Sequence, residues 1–317
     1  MKKYTDTGKK DTRSGFGAGL LEAGRKNPDI VALTADLAGS VKMDAFAKEF
    51  PERFIQCGIA DANMIGAAAG LAITGKVAFV GSFAEFVTGR VYDQVRQEVA
   101  YGHTNVKIAS SHAGITLGED GATHQTMEDI ALMRALPGMV VINPCDYNQC
   151  KAATIAIADY NGPVYLRYGR PAMPNFTPED QVFEIGKAIN LNEGTDVTIF
   201  ATGHLVWEAL NAAEILEAEG VSAEVIDIAT IKPLDVEAVV ASAKKTKAVV
   251  CAEEHNMCGG LGELIAGVLA SHAPTPIEYI NGADKFGQSG TPGQLLKAYD
   301  MDAEHIAEAA RKVISRK

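Results

Sequence analysis

The chain has 317 residues, 47% of them apolar and 22% charged, enough for two domains with large cores. A net charge of −11 and a pI near 5.2 argue against a nucleic-acid binder, which needs a concentrated basic surface. Five cysteines without C-x-x-C pairing offer neither a disulfide framework nor a zinc site.

The N-terminal stretch "MKKYTDTGKKDTRSG" is polar and has no apolar signal core, so a cytoplasmic protein is expected. In chain order, the strand candidates of the first half are "IVALTA" (30–35), "RFIQCG" (53–58), "VAFVGSF" (77–83), "VKIASSH" (106–112), "MVVINP" (139–144) and "VYLRYG" (164–169). Helical patterns such as "GRVYDQVRQEVAYG" and "DYNQCKAATIAIADY" lie between them. Residues 64–83 are the most apolar region, but Gly66, Gly70, Thr74, Gly75, Lys76 and Gly81 interrupt them too often for a membrane span. Pro171, Pro174 and Pro178 mark residues 171–185 as a linker. The alternation then restarts with "VTIFATG", a helix from Leu205 to Glu219, "AEVIDI", "AVVCAEE", the helix "GGLGELIAGVLASH" and "PIEYIN". This predicts an α/β protein of two open, mostly parallel sheets: a domain over 1–175, a linker over 176–185 and a second domain over 186–317. Sites in such folds lie at the carboxyl ends of the strands.

Two glycine-rich stretches are not nucleotide loops. "GFGAGLLEAG" (15–24) has Leu20 where G-x-G-x-x-G needs its last glycine, and no strand is predicted before it; "CGGLGE" (258–263) lacks the phosphate-loop lysine. Both read as helix starts packed closely on a neighbour.

Titratable residues crowd one long loop, "SSHAGITLGEDGATHQTMED" (110–129), which follows a strand and precedes a helix. His112, Glu119, Asp120 and His124 there can exchange protons with a bound polyol. In "GIADANMIGAAAG" (58–70), Asp61 stands at a predicted helix start, where a cap and a proton-holding acid are both possible.

Four segments, "TRSGFG", "TADLAGS", "GIADANMIGAAAGLA" and "SHAGITLGEDGATHQTMED", followed by "GPVYLRYGR", together resemble the C-terminal half of transketolase. The resemblance is to the second polypeptide of two-chain transketolases in particular, and it extends to the "EEH…GGLGE" segment. It implies thiamin diphosphate and Mg²⁺ as cofactors and transfer of a two-carbon unit from a ketose phosphate to an aldose phosphate. It places Asp61 against the cofactor pyrimidine, where most relatives carry the longer Glu. Phe83 and Phe86 become pyrimidine-pocket aromatics, with Gly89 at the position of a third, and Asp36 a carboxylate near the thiazolium side. His112, His124 and Asp120 become donor contacts, and Arg13, Ser40 and Arg170 grip the sugar phosphate.

No G-D-G diphosphate motif occurs in the chain. The resemblance therefore implies a partner chain, the N-terminal transketolase subunit that holds the diphosphate and metal. It also implies self-association through the pyrimidine-binding and C-terminal domains, and no activity for the isolated chain. Two alternatives stay open: the β subunit of a 2-oxo acid dehydrogenase, and a weakened regulatory partner in which Asp61 replaces Glu.

Overall fold

A computed structural model describes residues 4–317. In chain order the strands of the first half are β1 (Lys9–Asp11), β2 (Ile30–Thr34), β3 (Phe54–Gln56), β4 (Val77–Phe83), β5 (Val106–Ser111), β6 (Val140–Ile142), β7 (Val164–Arg167) and β8 (Ala172–Pro174). Those of the second half are β9 (Ile189–Asn192), β10 (Val197–Ala201), β11 (Ala223–Asp227), β12 (Thr230–Lys232), β13 (Val249–Ala252) and β14 (Ile277–Ile280).

The apolar runs form strands because both sheet faces are covered. In β2 and β4 every residue except Phe83 is buried, and successive side chains point to opposite layers. Ile30, Ala32, Val77 and Phe79 enter one core with the helices Thr12–Lys26 and Tyr147–Asp159. Val31, Leu33, Ala78 and Val80 enter the other, with Met64, Ile65 and Ala68 of the helix Asp61–Ile73. Each large side chain so buried is worth roughly 1.5–3 kcal/mol.

The first sheet has the order β12-β6-β7-β5-β4-β2-β3, parallel except for β12. The second has the order β14-β13-β10-β11-β9, parallel except for β9. The edge strand β12 comes from the second half of the sequence yet pairs with β6 of the first, so the halves share a sheet.

One local expectation needs correction. A short strand, β1, does precede the helix Thr12–Lys26, but it pairs antiparallel with β8 and joins neither main sheet. The expected linker, residues 171–185, packs against the body of the protein. Ala172–Pro174 form β8, Phe176 and Phe183 are buried, and Asp146 accepts the N–H groups of Phe176 and Thr177 at 2.8 and 2.7 Å. Backbone groups brought near the core must find such partners, and proline content alone does not reveal them.

The glycines of "GFGAGLLEAG" do serve close packing. A Cβ on Gly15 would lie 2.3 Å from the Tyr147 carbonyl oxygen, and one on Gly19 2.7 Å from Thr154 Cβ.

Candidate active site

Asp61 is the first residue of its helix, and its side chain is 4% exposed. It does not cap that helix, since no side-chain cap bond is formed there. Ser82 Oγ, near the carboxyl end of β4, donates instead to Asp61 Oδ1 at 2.7 Å, and Arg90 Nη1 donates to Oδ2 at 3.2 Å. The Arg90 guanidinium carbon also lies over the Phe86 ring, 3.9 Å from its centroid.

Phe83 ends β4, and Phe86 follows one turn later. Their rings stack at 5.5 Å, and Phe83 stacks on His112 at 3.8 Å. His124 meets Phe86 edge-on at 5.7 Å and Phe83 at 6.4 Å. The two histidines, twelve positions apart on one loop, therefore converge on one aromatic pair.

His112 follows β5 directly with a left-handed backbone, φ 62°, and its Nδ1 lies 2.7 Å from Ser111 Oγ. Burial, then the charges of Arg13, Arg170 and His124, push its pKa down to about 3. The imidazole is thus neutral at physiological pH and acts through hydrogen bonds rather than charge.

Arg13 and Arg170 line one cavity of about 300 Å³ with Thr116, Leu117, Glu119 and Pro292. Arg170 donates to the Leu117 carbonyl and to Glu119 Oε2, each at 2.9 Å. Arg13 donates to the Ser40 carbonyl at 3.1 Å. A second cavity, about 400 Å³, lies beyond the β1–β8 pair beside Tyr4, Lys10 and Asn175 and contains none of these residues.

Two expected site residues stand outside the aromatic group. Asp120 is exposed on the loop, and Asp36 is exposed beyond β2 with φ 61°, its N–H donating to Gln56 Oε1 at 2.7 Å.

The comparisons with known proteins account for this arrangement. Residues 8–175 match the family described as "Transketolase, pyrimidine binding domain", and residues 186–306 match "Transketolase, C-terminal domain". The chain belongs to the transketolase family. A "Putative transketolase C-terminal section" of Methanocaldococcus jannaschii is 50% identical over 303 residues, 94% of this chain and 95% of that protein. A "6-deoxy-6-sulfo-D-fructose transketolase subunit SqwH" of a Clostridium species is 45% identical over 298 residues, 94% of this chain and 92% of the other. The solved structure titled "Split gene transketolase, inactive beta4 tetramer" is 44% identical and superposes with a TM-score of 0.90, over 97% of this chain and 99% of that one. The α/β class and the transketolase resemblance therefore stand.

For this transketolase-family chain, the structure also shows residues that the sequence reading passed over. Ser82 lies in "VAFVGSF" and Arg90 in "GRVYDQVRQEVAYG", and both hold Asp61. Arg90 comes four residues after Phe86, in the turn that follows the helix Ala84–Val87. Among the described residues, no group of three or more His, Cys, Asp or Glu side chains is arranged to hold a metal. No helix among them is long and apolar enough to cross a membrane.

Proposed function

We propose that this chain is one subunit of a thiamin-diphosphate-dependent transketolase and supplies the pyrimidine-facing half of its site. It moves a two-carbon ketol unit from a ketose bearing an anionic group to an aldose phosphate. The observation that carries this reading is the convergence of the buried Asp61 carboxyl, the Phe83–Phe86 pair and two histidines at the carboxyl ends of parallel strands.

The residues present fit the cofactor's pyrimidine. Phe83 and Phe86 are half-buried, and Gly89 puts no ring at the third position, where a Cβ would touch Glu85 Oε1 at 3.6 Å. Asp61 would accept the pyrimidine N–H, with Arg90 moving aside or sharing Oδ2. When bound, thiamin diphosphate supplies the carbanion stabilisation that this carbon–carbon chemistry requires. Asp36 would stand toward the thiazolium side.

The donor would lie against the histidine loop. His112, neutral and oriented by Ser111, holds a donor hydroxyl; the half-buried His124 takes and returns its proton. Asp120 reads the C2 hydroxyl. Arg13, Ser40 and Arg170 receive the anionic end, for which the planar guanidinium fork suits phosphate or sulfonate. The relative named for sulfofructose is why the donor class is drawn more widely than phosphates.

Mg²⁺ and the diphosphate are assigned to a partner subunit, the chain that carries the diphosphate domain. Self-association would use the helix Asp61–Ile73, since Ile59 just before it and Ile73 at its end are 83% and 77% exposed. The relative solved as an inactive β tetramer supports self-association and the expectation that the chain alone is inactive. Five free cysteines suit a reducing, cytoplasmic setting.

Co-expression with the partner chain tests the proposal. Two-carbon transfer from xylulose 5-phosphate or 6-deoxy-6-sulfofructose is measured with thiamin diphosphate and Mg²⁺ present. Turnover by the pair and none by either chain alone is expected. No turnover of any ketose by the pair would reject the proposal.

A further inference from the structure

The segment Glu253–His255 follows β13, and all three side chains are buried. Each reaches a different target. Glu253 stays within its own half: its Oε2 and Oε1 accept the N–H groups of Leu261 and Gly262 at 2.7 and 2.8 Å. It thereby satisfies the start of the helix Leu261–His272, whose cap residue is a glycine. Glu254 turns across to the first half, and its Oε1 accepts the Thr116 N–H at 2.8 Å, inside the histidine loop, while its Oε2 faces the buried His204 Nδ1 of its own half at 3.6 Å. His255 Nε2 accepts the Ala131 N–H at 3.2 Å, in the short helix Asp129–Arg134 that closes that loop. Its Nδ1 donates to the Asn256 carbonyl at 2.8 Å, which fixes the tautomer.

The loop is held partly by its own turns, such as the Gly114 N–H donating to the Thr126 carbonyl at 2.9 Å, and partly by such outside partners. His112, Gly114, Gly118 and Gly121 all have positive φ, and residues 112–128 contain no strand that could pair their backbone groups. A Cβ on Gly114 would lie 2.9 Å from Glu254 Oε1, so loop and acid are in direct contact. The Glu254 carbonyl accepts from Arg167 Nη2 at 2.7 Å, and Arg167 Nε donates to Asp129 Oδ2 at 2.7 Å, at the far end of the loop. Gln125, next to His124, donates to the carbonyls of Ile115 and Gln288, each at 3.0 Å, adding a second link across the halves. A buried acid is a costly way to fill space, and an apolar side chain would serve packing alone. At this position the acid has a task that packing does not explain.

We propose that Glu254 is a positioning residue: through Thr116 it fixes the course of the His112–His124 loop, and with it the spacing of the two imidazoles. The second half of the chain, which places no residue in the aromatic group, thus sets the geometry of the donor contacts. This rests on the proposed role of that loop, so its test has one arm that needs no activity.

In that arm, amide hydrogen exchange is followed by mass spectrometry on the full chain and on Glu254→Ala and Glu254→Gln. The Ala variant leaves the Thr116 N–H without an acceptor, and exchange across 112–126 should rise about ten- to a hundredfold. The Gln variant keeps an accepting oxygen and should stay within about threefold of the parent. Peptides from the helix Val236–Thr246, which makes no hydrogen bond to Glu254, should not change in either variant. In the partner-bound complex, kcat/KM for the donor should fall about tenfold or more in Ala and recover in Gln, with thiamin diphosphate affinity within about twofold of the parent. Indistinguishable Ala and Gln variants, or exchange rising equally along the whole chain, would overturn the proposal. A parent complex that turns over no ketose would count against the proposed function, and the exchange arm would still decide the role of Glu254.

Discussion

Arg90 donates a hydrogen bond to Asp61 at 3.2 Å, although 29 residues separate them and only the acid is buried. The pair couples the helix that carries Asp61 to the turn that carries Phe86, beneath the same guanidinium. Because Arg90 is half exposed, the interaction is worth about 0.5–1 kcal/mol after screening. Arg90→Met should therefore slow cofactor C2 proton exchange in the partner-bound complex by only about two- to fivefold, measured by deuterium incorporation. A loss as large as that from removing the Asp61 carboxyl itself would show that Arg90 has a larger role than orienting the acid.

Arg170 tests the anion end of the site. It lines the same cavity as Arg13 and is held by Leu117 and Glu119. Arg170→Ala should raise KM for a phosphorylated ketose by about 10- to 100-fold, the span of a charge-assisted bond of roughly 1.5–3 kcal/mol. kcat should change little, and a ketose without an anionic group should show no effect. Steady-state kinetics with the matched pair of donors decides this.

His112 carries the pH prediction. Burial and nearby positive charge hold its pKa near 3 in the folded chain, against about 6.5 when unfolded. Between those values the unfolded state binds more protons, so stability contributed by this residue falls as pH drops from about 6.5 toward 3. His112→Gln should flatten that part of the Tm–pH curve. The His112 ring resonances should not titrate between pH 5 and 8 by NMR; a midpoint near 6.5 would contradict the burial argument.

Close helix packing gives a stability test away from the site. Gly15→Ala would drive a methyl group into the Tyr147 carbonyl, and should cost about 1–3 kcal/mol despite alanine's better helix propensity. Gly70→Ala, where nothing lies within 4 Å, should cost nothing or stabilise the isolated chain. Urea midpoints of the two variants make the comparison.

Much of the fold was legible because buried parallel strands are written as short, mostly apolar runs, and β2, β4 and β10 each appear as one. The helix Tyr147–Asp159 was equally clear from its pattern. The strand β12 was not, since three residues that pair antiparallel with a distant strand leave no periodic signal. The packing of the linker was not legible for a similar reason: prolines mark broken periodicity, while the ties from Asp146 and the burial of Phe176 are tertiary facts. Within the candidate site, the crowded loop between Ser110 and Asp129 signalled His112 and His124 by composition alone. Asp61 was legible only through family resemblance, because an acid at a helix start is ordinarily a cap. Its partners Ser82 and Arg90, and the reach of Glu254 across the halves, depend on contacts between elements far apart in sequence, which no local pattern encodes.

The central claim is that this chain contributes the acid that acts on the thiamin pyrimidine. Its most direct test is the C2 proton exchange rate of thiamin diphosphate in the partner-bound complex, for the parent, Asp61→Asn and Asp61→Glu. Exchange at least about 10²-fold slower is expected in the Asn variant, the scale of a positioned proton-transfer group, with exchange preserved or raised in the Glu variant. An Asn variant that exchanges as fast as the parent would contradict it.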